Sequence, residues 1–261
     1  MSILEAVFLG IVQGLTEFLP VSSSGHLAIF EHLLHIDPGD LSFEVIVHVG
    51  TLLAVVIYFR QRLLAMGRSL LVRKSDHSPL ATDRMTVLFL IIGSVPAALV
   101  GLFLKTTVEN IFASPLVAAM LLMVTGMLLL SIRLFKTGSR PLGAANSWWV
   151  GVAQAVAILP GISRSGSTIA TGMMLGITPT VAAEFSFLLS IPAVFGAALL
   201  ALPEAAAAGR FGMVHVVGGI VAGIVGYWSL SVVFATIRHG RFGWFGAYCL
   251  VAGAVATLWL L

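Results

Sequence analysis

An all-helical polytopic membrane protein is what this sequence predicts, with six transmembrane helices and two re-entrant helix–loop–helix pairs in an inverted-topology repeat. Three observations predict it. Apolar residues make up 59% of the 261 positions and charged residues only 10%, against about 25% in a soluble domain. With a mean hydropathy of +1.06, the chain has too few charges to cover a water-facing surface and must use lipid as solvent. Six segments stay apolar over the length a helix needs to cross a bilayer, and two further apolar regions are broken by proline, glycine and serine at matching positions.

Taken in order, residues 2–35 are apolar but break at Leu19-Pro20-Val21-Ser22-Ser23-Ser24-Gly25-His26. Residues 41–61, 85–106 and 114–135 are continuous spans. Residues 146–176 break at Leu159-Pro160-Gly161-Ile162-Ser163-Arg164-Ser165-Gly166-Ser167, and 180–203, 212–237 and 242–261 are continuous again. The piece from Asn146 to Leu159 reaches only about 21 Å at the helical rise, too short to cross. Unpaired backbone at membrane depth is tolerated only inside protein or against a wet cavity. Both broken regions therefore read as re-entrant pairs, with two kinked full spans each as the alternative.

The breaks align with each other. Ser22 to His26 falls on Ser163 to Ser167, Gln13 on Gln154, and Phe43-Glu44 on Ala183-Glu184, at one common offset. The expectation is a single membrane domain, 1–261, of two halves, about 1–140 and 141–261. Each half holds one re-entrant pair and three crossings. Three is odd, so the second half enters from the opposite side, the arrangement in which broken helices meet near the midplane and build a site.

Basic residues set the orientation. Arg60, Arg62, Arg68, Arg73, Lys74 and Arg84 lie in 60–84, read as a loop; Arg133, Lys136 and Arg140 lie near 133–145, and Arg238 and Arg241 in the turn 238–241. The six-span topology puts all of these on one side and only Lys105 and Arg210 on the other. The first side is then cytoplasmic and both termini lie outside. The start of the chain has no basic n-region, so it is expected to stay in the mature protein. The single Cys249 excludes an internal disulfide and a multi-cysteine metal site. A net charge of +3 gives no ground for a nucleic-acid partner, while membrane lipid is a partner by composition. There is no GxxxxGK[ST] for an ATP-driven pump and no HExxH for a zinc hydrolase.

Few ionisable groups remain at depth: Glu17, His26, Glu44, His48, Arg164 and Glu184. Such residues usually face a cavity and serve function. Arg164 is the buried cation, in a Ser-Arg-Ser-Gly-Ser loop that opens a helix. Backbone N–H groups at a helix start, the hydroxyls of Ser163 and Ser165, the backbone at Gly166 and a guanidinium together suit an anion. Ser22, Ser23 and Ser24 line a second helix start, and two such starts with one arginine suit a phosphate or diphosphate. Gln13 and Glu17 share a helix face pointing at the first break, and Gln13 is counted with Arg164, Ser22, Ser163, Ser165 and Gly166 among the candidate diphosphate-binding residues. Glu17 is a candidate general base, metal ligand or partner of Arg164, and with Ser23 and His26 it suggests hydrolysis of a phosphate ester or anhydride. Ser24 and Ser167 read as hydrogen-bonding their own backbone or a neighbour. Glu44 and Glu184 read as supporting residues that can pair with the other half, with His48 as a hydrogen-bond partner of Glu44. His32, His35, His77, His215 and His239 carry no assignment. The Gly219 to Gly223 spacing permits helix packing, including a homodimer.

The string Gln13-Gly-Leu-Thr-Glu17-Phe-Leu-Pro-Val-Ser-Ser-Ser-Gly-His26, with Pro160-Gly-Ile-Ser-Arg164-Ser-Gly-Ser167, closely resembles the BacA/UppP family of undecaprenyl-diphosphate phosphatases. The resemblance runs on through Phe43-Glu44-Val and Ala183-Glu-Phe-Ser-Phe-Leu-Leu189, over essentially the whole chain. It implies an integral hydrolase of the bacterial plasma membrane that removes the terminal phosphate of a C55 polyprenyl diphosphate on the outer side. The product is the lipid carrier for peptidoglycan and other wall polymers, and the family is associated with bacitracin resistance. By this resemblance Ser23 is the favoured nucleophile, His26 and Glu17 are catalytic, Arg164 is the diphosphate clamp, Ser22 is a motif serine, and a divalent cation, Mg²⁺ or Ca²⁺, assists. The family's (Glu/Gln)-x3-Glu motif falls on Gln13 and Glu17, so any acidic role rests on Glu17. Two chemistries stay open: attack by Ser23 assisted by His26 or Glu17, or attack by a Glu17-activated water. A polyprenyl-phosphate flippase or transporter, which would bind the same headgroup, is the alternative from another class.

Overall fold

A computed structural model describes residues 1–36, 41–71, 79–103, 114–135, 138–207 and 212–261. Arg73, Lys74, His77, Lys105, Lys136 and Arg210 lie outside the described residues. The described chain is built from helices: α1 Ile3–Phe18, α2 Ser23–Leu33, α3 Leu41–Tyr58, α4 Arg60–Leu71, α5 Pro79–Phe103, α6 Pro115–Ser131, α7 Ala144–Val156, α8 Arg164–Met174, α9 Pro179–Ala207, α10 Met213–Arg238 and α11 Gly243–Leu260. Five of them, α5, α6, α9, α10 and α11, are long and apolar enough to cross a membrane, and α3 with α4 makes a sixth candidate bent by 72°. Their outward faces carry Ile91, Leu99, Phe195, Leu199, Ile220, Ile224, Val251 and Val255, all exposed. That surface is stable only against hydrocarbon.

Local chemistry sets the ends. Ser2 opens α1 with a capping box: its hydroxyl accepts from the Glu5 N–H at 3.3 Å, and the Glu5 carboxylate accepts from the Ser2 N–H at 2.7 Å. Pro20 stops α1, because the residue before it, Leu19, is pushed out of helical conformation, whereas α7 ends at Val156, before the turn that leads to Pro160. Ser22 and Ser163 then start α2 and α8, their hydroxyls accepting from the N–H groups of Gly25 and Gly166.

The segment 60–84, read from the sequence as a loop, is instead helical over its described residues, 60–71 and 79–84. Beyond the bend at Phe59, α4 turns its Met66 and Ser69 side against the protein and leaves Arg60 and Arg68 exposed. Leu63 and Met66 give α4 an apolar edge among arginines, as an interfacial helix needs.

Both broken regions are re-entrant pairs. Ala6 of α1 and Phe43 of α3 meet Gly218 of α10 at one level, while Phe18 and Thr51 meet Gly226 at another. So α1 and α3 start at the same face and run the same way, and α2 is the return between them. In the second pair, the Arg140 N–H donates to the Gly176 carbonyl at 2.8 Å, and Arg140 bridges Ile177. The strand of chain leading into α7 thus lies beside the one leaving α8. The four helices have 11 to 16 residues each, too few to cross alone.

The two pairs open to opposite faces. Arg62, just past the end of α3, pairs with Glu184 near the start of α9. The end of α3 is therefore level with the start of α9, where the second pair opens. Packing follows the same exchange of halves: α1 lies along α10, α7 lies along α5, and α6 pairs with α11.

Close backbone approach holds these seams, since lipid supplies no hydrophobic drive between helices. Gly50 faces the Gly219 carbonyl, Gly151 faces the Gly93 carbonyl, and Gly126 faces Gly246. Gly219 and Gly223, whose spacing permits a dimer seam, are used within the chain, against Ile46 and Gly50 of α3. Beneath the breaks an aromatic core stacks Phe18, Phe59, Phe187 and Phe234, with Phe18 edge-on to Phe187 at 5.8 Å.

Two glycine substitutions should diverge. A methyl at Gly50 would run into the Gly219 backbone, so Gly50→Ala should lose about 1–3 kcal/mol through overpacking. Gly67 in α4 has open space around it, and Gly67→Ala should gain about 0.5–1 kcal/mol from helix propensity. Thermal unfolding of both variants in detergent checks this.

Candidate active site

The two breaks touch. A methyl on Gly25 would meet Gly161 at 3.0 Å, and one on Gly166 would meet Pro20 at 3.3 Å. The Ser165 hydroxyl donates to the Leu19 carbonyl at 3.3 Å. Each break is built alike: Ser22 and Ser163 cap their helices and lie 3.4 and 3.3 Å from the hydroxyls of Ser24 and Ser165. The residue after each cap begins the helix. In α2 it is Ser23, and in α8 it is Arg164. The nucleophile candidate and the cation candidate are thus counterparts in the two halves.

Glu17, in the last turn of α1, joins them. One carboxylate oxygen accepts from Arg164 Nη2 in a short ion pair. The other accepts from the Ser23 hydroxyl at 2.5 Å and from Gln13 Nε2 at 3.2 Å. His48 Nε2 lies 3.7 Å from the same oxygen, while its Nδ1 hydrogen-bonds the Glu44 carbonyl at 2.7 Å. All of Gln13, Glu17, Ser22, Ser23, His26, Ser163 and Ser165 are buried, and Arg164 is nearly so. Glu17 is therefore placed to take a proton from Ser23 without moving.

Two polar atoms in this cluster are buried without a hydrogen-bond partner among the described residues: Arg164 Nη1 and Gln13 Oε1. The first is a spare cationic donor, the second a spare neutral acceptor. A guanidinium with one nitrogen held by a carboxylate and one open can take a phosphoryl oxygen with little rearrangement.

His26 stands apart from this exchange. Its Nδ1 is hydrogen-bonded to the Ser22 carbonyl and its Nε2 to Tyr248 Oη, each at 2.8 Å. Of the two groups considered for assisting Ser23, Glu17 is the one in contact. The hydroxyl of Ser163 and the N–H of Gly166 are bonded to each other, so they shape the loop that presents Arg164. Glu44 lies one turn from His48. Glu184 is away from the breaks, in a cluster with Arg62 and Asp83 that ties α4, α5 and α9. It pairs with the first half, through Arg62 and not through the serine loop.

Sequence reading missed two residues. Thr125 of α6 donates its hydroxyl to the Gly161 carbonyl at 2.8 Å and accepts from the Ser163 N–H at 3.0 Å. Gly161 itself sits at φ +89, pressed on the Ala118 carbonyl. A lone threonine in the otherwise apolar Leu121-Leu-Met-Val-Thr125-Gly-Met-Leu-Leu-Leu130 run was a readable signal. Tyr248 of α11 had none, since aromatic residues are common at any lipid-facing helix.

No three His, Cys, Asp or Glu side chains come together as a metal cluster among the described residues. The oxygens on offer are the free Gln13 Oε1 and the carboxylate of Glu17. That set fits a cation that brings most of its coordination with substrate phosphates and water, as Mg²⁺ does, and not a closed protein cage.

The fold and site define a class: a polytopic membrane protein with a buried serine–carboxylate–arginine cluster where two re-entrant pairs meet. The chain belongs to the BacA family; the model described as bacitracin resistance protein BacA matches residues 6–255. It is 44% identical to an undecaprenyl-diphosphatase of Desulfosudis oleivorans, over 98% of both chains. It is 42% identical to one of Syntrophotalea carbinolica over 98% of both chains, and 40% to one of Korarchaeum cryptofilum over 100% of both.

Thr125→Val should loosen the second break. It strands the Ser163 N–H and removes a bond to Gly161, a loss of about 1–3 kcal/mol for a buried unsatisfied group. Thermal unfolding in detergent should show a lower midpoint than the wild type.

Proposed function

We propose that this chain is an integral membrane phosphatase that hydrolyses undecaprenyl diphosphate to undecaprenyl phosphate and inorganic phosphate, recycling the lipid carrier of wall synthesis. The observation that carries the reading is the Ser23–Glu17–Arg164 contact across the two breaks, with Arg164 Nη1 left open. Family membership and relatives named undecaprenyl-diphosphatase support it.

Ser23 Oγ attacks the terminal phosphorus while Glu17 takes its proton. The bond from that phosphorus to the bridging oxygen breaks, and undecaprenyl phosphate leaves with the oxygen. Water then attacks the phosphoserine, releasing phosphate and restoring Ser23. Arg164 neutralises the phosphoryl oxygens, and such charge stabilisation with positioning is most of what phosphoryl transfer requires. A bound Mg²⁺ or Ca²⁺ would supply further neutralisation of the diphosphate, and Gln13 Oε1 and Glu17 are the residues that would hold it.

The site is reached from the outer side of the plasma membrane. Arg60, Arg62, Arg84, Arg140 and Arg238 all belong to the face at which α3 and α10 end and the second pair opens. Such a charge bias marks a cytoplasmic face, which leaves the first pair, with Glu17 and Ser23, opening outward and both termini outside.

Phosphate release from a polyprenyl diphosphate by detergent-purified protein tests the function. Wild type should release phosphate, and Arg164→Ala should slow it by about 10²–10³. Ser23→Ala should lower kcat by at least about a hundredfold, whereas substantial retained turnover would assign the attack to water activated by Glu17. EDTA should suppress release, with recovery on adding Mg²⁺ or Ca²⁺. A well-folded wild type that releases nothing with metal present would overturn the reading.

A further inference from the structure

We propose that Tyr248 is a positioning residue of this site, acting through His26 on the backbone that presents Ser23. The kinetic part of the inference rests on the phosphatase reading; the structural part does not.

Ser22 holds an unusual backbone conformation. Its φ is +65, a conformation that residues other than glycine rarely hold. It is the cap residue immediately before Ser23, so its backbone aims the nucleophile candidate. Such a strained residue persists only when its surroundings hold it in place. Its hydroxyl is held by the Gly25 N–H. Its carbonyl is held by the His26 N–H, at 3.2 Å, and by the His26 side chain through Nδ1.

A carbonyl oxygen can only accept, so His26 Nδ1 must carry a proton. In the neutral ring Nε2 is then a bare acceptor. Tyr248 Oη, 2.8 Å away, is a donor that fits it. The two rings are also stacked, 7° from parallel with centroids 5.7 Å apart. Tyr248 thus supplies the donor that the tautomer fixed by the Ser22 carbonyl requires, and it sets the plane of His26. It comes from α11, whose main partner is α6, and the neighbouring Cys249 touches the first break as well, its thiol 3.7 Å from the Pro20 carbonyl. The last helix of the second half therefore braces the break of the first half through a relay of Tyr248, His26 and the Ser22 carbonyl.

Tyr248→Phe removes the hydroxyl and keeps the stacked ring. With phosphate release as the readout, its kcat should fall about tenfold, the size expected from one lost hydrogen bond, with KM within about twofold. A merely structural packing role would leave kcat untouched, because the ring remains. A second readout needs no turnover. In protein labelled with ¹⁵N-histidine, the His26 signals, identified by their loss in His26→Gln, should show Nδ1 protonated and Nε2 bare. In Tyr248→Phe the Nε2 signal should move. Wild-type kcat in Tyr248→Phe, a KM change without a kcat change, or His26 in the Nε2-protonated tautomer in the wild type would each overturn the proposal. If wild-type protein releases no phosphate, the phosphatase reading fails, and the ¹⁵N spectrum still decides the Tyr248 contact.

Discussion

Glu17 and Arg164 are opposite charges buried at a depth where neither would be stable alone. An ionised side chain in hydrocarbon is costly, and the pair is tolerable because each charge has the other and the carboxylate has further hydrogen bonds around it. Glu17 takes its remaining bonds from Ser23 and Gln13. Since Glu17 ends α1 and Arg164 begins α8, the pair also clamps the two breaks together. The rest of the structure serves that junction. The breaks can exist in a membrane because their polar groups are filled by each other, as Ser165 does for Leu19, and by a neighbouring helix, as Thr125 of α6 does for Gly161 and Ser163.

The doubled architecture yields one scaffold used for two purposes. Ser22 and Ser163 cap their helices with the same hydrogen bond to the third residue on, Ser22 from φ +65 and Ser163 from φ −68. The next position then differs: Ser23 in one half, Arg164 in the other. Opposite entry of the two pairs brings these first helical residues to the same carboxylate. Gln13 and Gln154 diverge in the same way, since Gln13 is hydrogen-bonded to Glu17 while Gln154 is buried with neither amide atom bonded among the described residues.

Small residues make this closeness possible. Gly10, Gly14 and Gly226 let α1 and α10 approach at backbone distance, and Ser229 of α10 adds a hydrogen bond to the Leu15 carbonyl at 3.1 Å. Any larger side chain on that seam would lift α1, and with it Glu17, away from α8.

Composition alone determined that lipid is the solvent, because 10% charged residues cannot cover such a chain in water. The Leu-Pro followed by serines marked both breaks, because proline ends a helix and serine starts the next. Motif resemblance brought Glu17, Ser23, His26 and Arg164 forward together. What the sequence could not contain is distance. Glu17 and Arg164 are 147 positions apart, and only the opposed entry of the two pairs decides that they touch. The same holds for His26 and Tyr248, 222 positions apart. Helical periodicity says nothing of such a pair, because hydrogen bonds between remote helices depend on how the helices are stacked. Residues 60–71 were legible as basic but not as a helix bent by 72°, since charge pattern gives the side of the membrane and only packing against α5 gives the direction of the chain.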